Sequence, residues 1–175
     1  MTTANLTTEN ALRADLRSAG FNARKVTVRR DNSTLRVTIR DASVSLSTVR
    51  QIAERYTRVQ RDERSGEILC GGNTFVDAAY LPALVEPVAT QIVALLAPAD
   101  DGVIVALPGG FRAAKISRQR GATYPDEVRI WGAGFDIHNS TACGVEFAAK
   151  RIAIAYLDAS ATGAVATAPM AEVGA

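Results

Sequence analysis

The side chains able to do covalent or proton chemistry are few and scattered. His138 is the single histidine of the chain. It follows Asp136 by two positions, and a histidine beside a carboxylate can shuttle a proton. Both fall in a stretch that reads as a loop ahead of a helix, where a polar side chain can simply cap the next turn. Cys70 and Cys143 are the two thiols. Cys70 abuts Gly71-Gly72, which could leave it accessible, but a reactive thiol needs a base or cation beside it. No motif supplies one, so a small residue buried on a strand is the expectation for Cys70. Two cysteines and one histidine far apart in sequence make a poor zinc set. Asp100-Asp101 offers two carboxylates without the further oxygens a divalent cation requires. No metal, cofactor or catalytic residue is therefore expected, and the chain is not expected to be an enzyme.

The densest patch of unusual residues is Arg61 to Val76, "RDERSGEILCGGNTFV". A phosphate loop would need its glycines followed directly by a helix start, with Lys and Ser/Thr behind them. Here Gly71-Gly72-Asn73 runs into Thr74-Phe75-Val76, which favours extended chain, and there is no lysine. Gly66 suits the positive φ of a tight turn. Gly71 and Gly72 within a strand pattern suggest a bulge or a close backbone approach. The stretch reads as a hairpin with a deformed second strand.

The elements around it follow from periodicity. Residues 1–7 read as a loose lead-in. Thr8 then caps a helix with Ala11, Leu12, Leu16 and Ala19 at helical spacing, ended by Gly20. "KVTVRR" and "TLRVTIR" alternate around the turn residues Asp31-Asn32-Ser33 and form an antiparallel hairpin. Ser45 or Ser47 caps a second helix carrying Val49, Ile52 and Ala53. "YTRVQRD" and "ILCGGNTFVDAAY" read as two further paired strands. In the second half Glu86-Pro87 opens a buried helix. Short strands follow at "VIVAL", "FRAAKISRQ" and "EVRIWGAG", then a helix carrying Val145, Phe147, Ala148, Ile152, Ala155 and Tyr156. The expected fold class is α+β, with small antiparallel sheets, helices packed on one face, and two subdomains. These are an α-β-β-α-β-β unit over 1–80 and an α-β-β-β-α unit over 81–159, with a disordered tail over 160–175.

Composition narrows the function classes. At 47% hydrophobic residues the chain can build a core. Leu84 to Leu107 is strongly apolar, but Pro98, Asp100, Asp101 and Gly102 split it below the ~20 residues a membrane crossing needs. The start "MTTANLTTEN" is polar, so a cytoplasmic location with reduced thiols and no membrane partner is expected. The net charge of +2 is unevenly spread, with residues 1–80 basic overall and the remainder slightly acidic. Strand alternation that turns Val26, Val28, Leu35, Val37 and Ile39 inward turns Lys25, Thr27, Arg29, Arg36, Thr38 and Arg40 outward. Arg24, Arg30, Arg58 and Arg61 lie near that face. Arginine forks suit phosphate or carboxylate. The candidate partner-binding residues are Lys25, Arg29, Arg36, Arg40, Arg58 and Arg61. Tyr124 and Trp131 join them, as aromatics of the kind that dominate interface energetics.

The run "TRVQRDERSGEILCGGNTFV", with "STVRQIAERY" before it, resembles one of the large polyvalent protein-associated domains of phage and plasmid proteins. The shared pattern falls on Asp62, Ser65, Gly66, Glu67, Ile68, Gly71, Gly72 and Asn73, and the resemblance covers roughly residues 8–80. It implies a mobile-element protein acting in a bacterial host. Such elements carry inhibitors of host defence, anti-CRISPR proteins among them. No catalytic residue carries over. The expected function is therefore a non-enzymatic interaction protein that modulates a host protein or nucleoprotein complex by binding. A nucleic-acid-binding accessory module using the basic face is the alternative. An enzyme built on Cys70 or on Asp136/His138 is the third reading.

Overall fold

A computed structural model describes residues 3–107, 110–116, 127–132, 135–139 and 144–163. The chain divides into two compact units, Met1–Leu81 and Pro82–Ala175.

The first unit begins with helix α1, Thr3–Ser18. It starts five residues before the expected Thr8 cap, so the lead-in is helical from Thr3. At the far end, Phe21 N–H reaches Leu16 C=O (2.9 Å) while Gly20 sits at φ +89. This closure needs a left-handed residue at that position. Strands β1 (Val26–Asp31) and β2 (Thr34–Ile39) pair antiparallel, with Val26 opposite Ile39 and Val28 opposite Val37. The two-residue turn between them places Asn32 at φ 52, a conformation asparagine tolerates better than most side chains. Helix α2, Leu46–Glu54, is capped by Ser45, whose hydroxyl accepts Thr48 N–H at 3.1 Å.

The third strand departs from expectation. β3, Phe75–Tyr80, joins β2 in parallel, Val37 opposite Ala78 and Ile39 opposite Tyr80. The sheet order is β1-β2-β3, so this sheet is mixed rather than wholly antiparallel. β2-α2-β3 is a crossover of the kind two parallel strands require. Residues 57–62 form no strand; they make isolated bridges with 68 and 74. The reason is burial. Arg58, Gln60 and Arg61 are exposed, and with no apolar face to cover there is nothing to hold a ladder.

α1 packs on β1, α2 on β3, and the helices touch one another. Both therefore cover the same sheet face. Val26, Val28, Leu35, Val37, Ile39, Ala78 and Tyr80 are buried there against Leu12, Leu16, Leu46, Val49 and Ala53. Tyr80 is satisfied by donating its hydroxyl to Val44 C=O at 2.9 Å. The opposite face is left to solvent.

The second unit holds α3 (Pro82–Leu96), the antiparallel sheet β4-β5-β6-β7 (Val105–Ala106, Arg112–Ile116, Glu127–Gly132, Phe135–Asn139) and α4 (Gly144–Ala161). Pro82, not Pro87, occupies the first helical position, and Pro87 lies inside the helix. α3 packs on α4, burying Val85, Ala89, Ile92 and Leu96 on one side and Ala148, Ala149, Ile152 and Ala153 on the other. β7 replaces the loop expected around Asp136 and His138. Residues 160–163 still belong to the last helix and its closing turn; the rest of the expected tail lies outside the described residues.

Candidate interaction surface: an arginine face and an exposed arm

On the solvent face of the first sheet, the register sets Arg29 directly opposite Arg36 and Arg36 beside Asp77 of β3. Like charges facing across strands repel. Arg36 is offset by Asp31 at 3.0 Å, both half exposed or more. Lys25 and Arg40 extend the same face one step further, through Arg40 N–H to Lys25 C=O at 2.7 Å. Lys25 is drawn to Asp41 (3.5 Å) and donates to the Ser43 hydroxyl (3.2 Å). Asp41 is held below the usual carboxylate range by the Ser43 amide and hydroxyl first, and by Lys25 after them. The structure therefore gathers Lys25, Arg29, Arg36 and Arg40 as the alternation implies. It also interleaves them with Asp31, which shares the phase of Arg29 on β1, and with Asp41 and Asp77, which alternation along the hairpin does not place against them.

Arg58 and Arg61 lie elsewhere, on the arm that links α2 to β3. Its base is a reciprocal backbone pair, Arg58 with Thr74, both bonds 2.8 Å. Further out, Leu69 N–H reaches Gln60 C=O and Asp62 N–H reaches Glu67 C=O. Two residues lie between Arg58 and Arg61, while five lie between Ile68 and Thr74. The surplus is taken up by Cys70, Gly71 and Gly72, with the glycines at φ +91 and +70. Asn73 staples this bulge from both sides: its carbonyl accepts Gln60 N–H and its amide donates to Leu69 C=O, each at 2.7 Å. At the tip Asp62 accepts the amides of Arg64 and Ser65 and the Ser65 hydroxyl. Gly66 turns at φ +71, and Arg61 donates to its carbonyl at 3.0 Å. The Asp-x-x-Ser-Gly and Gly-Gly-Asn residues are thus the hydrogen-bonding parts of one folded loop.

The Ser65 and Arg64 amides hold the Asp62 carboxyl below its ordinary value. A depressed carboxylate supports the folded turn above its unfolded-state pKa and loses that support as pH falls through the folded one. Acidification is therefore expected to loosen the tip, moving the Arg64 and Ser65 amide resonances while that of buried Val49 in α2 stays put. At neutral pH, Asn73→Ala is expected to speed hydrogen exchange at the Gln60 and Leu69 amides. The expected local cost is about 1–3 kcal/mol for two lost bonds. Unchanged exchange would show that the bulge needs no staple.

What the arm presents was missed from sequence. Ile68 and Leu69 are 48% and 44% exposed, with Arg58, Arg61 and Arg64 exposed around them. Cys70 is exposed as well, correcting its expected burial; the bulge turns it off any strand. Alternation assigned these residues to a sheet that the chain does not make. Their one sequence signal is an apolar pair sitting beside a Gly-Gly bulge.

The other candidates lie in the second unit or beyond description. Trp131 is half buried on β6, with the Arg129 guanidinium 5.5 Å from the ring centre, a cation–π distance. Tyr124 and Cys143 fall outside the described residues. In the register of β6 and β7, Asp136 stands opposite Trp131 and His138 opposite Arg129. Among the described residues no cluster of His, Cys, Asp and Glu could hold a metal, and no helix is long and apolar enough to cross a membrane. No family model, curated protein or solved structure matches the chain.

Proposed function

We propose that this protein works by binding, with the arm as its principal contact element and a macromolecule as its partner. The observation that carries this reading is the exposed Ile68-Leu69 pair on a loop whose conformation is already fixed by its own hydrogen bonds. A loop ordered before it binds loses little further freedom on docking, so its apolar contacts count almost fully toward affinity. The arginines around the pair favour an acidic rim on the partner. Arg29, Arg36 and Arg40 of the sheet face form a second, weaker candidate contact, because Asp31 and Asp77 stand among them.

An inhibitor of host defence, such as an anti-CRISPR protein acting on a bacterial effector, is the most specific form of this proposal. It rests on the resemblance carried by Asp62, Ser65, Gly66 and Gly71-Gly72-Asn73. Affinity capture from a bacterial lysate, followed by reconstitution with the purified partner, tests the binding reading. Ile68→Asp with Leu69→Asp is expected to weaken the reconstituted complex about 30-fold or more, the scale of an interface hot spot. Equal affinity of wild type and double variant would remove the arm from the interface.

The adjacent Arg29 and Arg36 keep nucleic acid as a second reading. Charge reversal at Arg36 and Arg40 with a duplex DNA probe decides it. Phosphate binding would fall steeply with salt, with a log–log slope of about −0.9 per contact, and would collapse in that variant.

A further inference from the structure

The first unit's sheet has two edges, β1 and β3, and an arginine from a helix meets each. Arg13 of α1 donates to Val28 C=O at 2.7 Å. Arg50 of α2 donates twice to Ala78 C=O, at 3.4 and 3.3 Å. An exposed edge is a template for another chain, and such caps blunt it. The two edges are not equally closed.

The bond from Arg40 N–H to Lys25 C=O fixes the phase of the β1–β2 ladder. Lys25, Thr27, Arg29 and Asp31 turn their backbone groups toward β2. Val26, Val28 and Arg30 turn theirs outward. Val26 N–H is used by Asn22 C=O (3.0 Å) and Val28 C=O by Arg13. Val26 C=O and Val28 N–H face out with no partner among the described residues. Beside them runs a groove between β1 and α1. Leu16, Phe21 and Val26 form its apolar floor and Arg13, Arg17 and Arg29 its rim, and among the described residues no acidic side chain lines it. Glu9 pairs with Arg13, but Arg17 and Arg29 have no carboxylate partner among the described residues. The matching groove along β3 is different, because Glu54 and Asp77 line it with Arg50.

We propose that β1 receives an extended, acidic segment of a partner protein as an added strand. Main-chain bonds to Val26 C=O and Val28 N–H hold the segment, and its carboxylates meet Arg17 and Arg29. Such addition takes affinity from the backbone and selectivity from alternate side chains. Arg13 gives up Val28 C=O, which accepts an N–H of the added strand instead, so one hydrogen bond replaces another. The site is on the edge away from β3 and the arm, and stands or falls apart from the arm reading.

The test uses the full chain and a fluorescein-labelled hexapeptide, Thr-Val-Glu-Glu-Val-Thr, whose adjacent glutamates point to opposite faces of an added strand, followed by anisotropy. Saturable binding is expected. N-methylation of alternate peptide residues, which keeps every charge, is expected to weaken it about tenfold or more, the worth of a main-chain bond. Arg17→Glu with Arg29→Glu is expected to do the same with an unchanged circular dichroism spectrum, both residues being exposed. Arg50→Gln, on the other edge, is expected to bind as wild type. Equal binding of the N-methylated peptide would mean adsorption by charge alone and would overturn the proposal. So would no binding at about 1 mM peptide.

Discussion

Ile39→Ala is expected to lower the stability of the first unit by about 2–5 kcal/mol, the range for a fully buried aliphatic cut to alanine. Ile39 has no exposed surface. It stands on the central strand, opposite Val26 on one side and Tyr80 on the other. A cavity there touches all three strands, and neither neighbour is free to move, since each also packs under a helix. Domains are commonly stable by only about 5–15 kcal/mol, so the loss is a large share of the total. The control is one residue away. Thr38 lies on the solvent face, and Thr38→Ala is expected to change stability by about 0.5 kcal/mol or less. Urea unfolding followed by far-ultraviolet circular dichroism separates the two. Equal midpoints for both variants would contradict the inward placement of Ile39.

The second large effect is expected at Gly132, where β6 ends. Its φ is +131, and a Cβ built there would lie 2.6 Å from Gly110 C=O and 3.0 Å from Phe111 Cα. Both obstacles are main chain and cannot rotate away. Gly132→Ala therefore combines strained backbone, about 1–3 kcal/mol, with an overpacking penalty of similar size. Gly20→Ala carries only the first cost, because φ is +89 there but nothing lies within 4 Å of the added carbon. Trp131, the chain's single tryptophan, is the adjacent reporter. Its fluorescence-detected unfolding midpoint is expected to fall clearly in the Gly132 variant. A midpoint like the wild type's would mean that the segment around Gly110 shifts at no cost.

How much of this could be seen in the sequence depends on which physical signal carried it. Val26, Val28, Leu35, Val37 and Ile39 alternate because a pleated strand sends successive side chains to opposite faces. All five are buried as expected. The α+β class followed from the same patterns. Alternation names a face but never a neighbour, so it could not tell that β3 joins β2 in parallel. The pairing of "YTRVQRD" with "ILCGGNTFVDAAY" follows from local pattern alone, and the exposure around it reduces that ladder to isolated bridges. β7 was hidden because Asp136, His138 and Asn139 have loop-like composition, while its pairing with β6 is a long-range matter. Pro87 marked a helix start by rule, although Pro82 already held that place. Of the candidate surface, the arginines of the sheet face were legible, while Asp77, brought beside Arg36 by the parallel β3, was not. Arg13 and Arg50, which meet the sheet edges from separate helices, have no sequence signature at all.

The position of the arm within the first unit has a consequence for diversity among proteins of this design. Residues 57 to 74 are spliced into the crossover between α2 and β3, and the Arg58–Thr74 pair closes their base. The ends are thus already joined, and lengthening a closed loop costs only about 0.6 kcal/mol per doubling. Selection, or an engineer, can exchange everything beyond that clasp while the sheet beneath keeps its register. The scaffold is then a constant handle, and the interchangeable bit it carries can change specificity without a new fold.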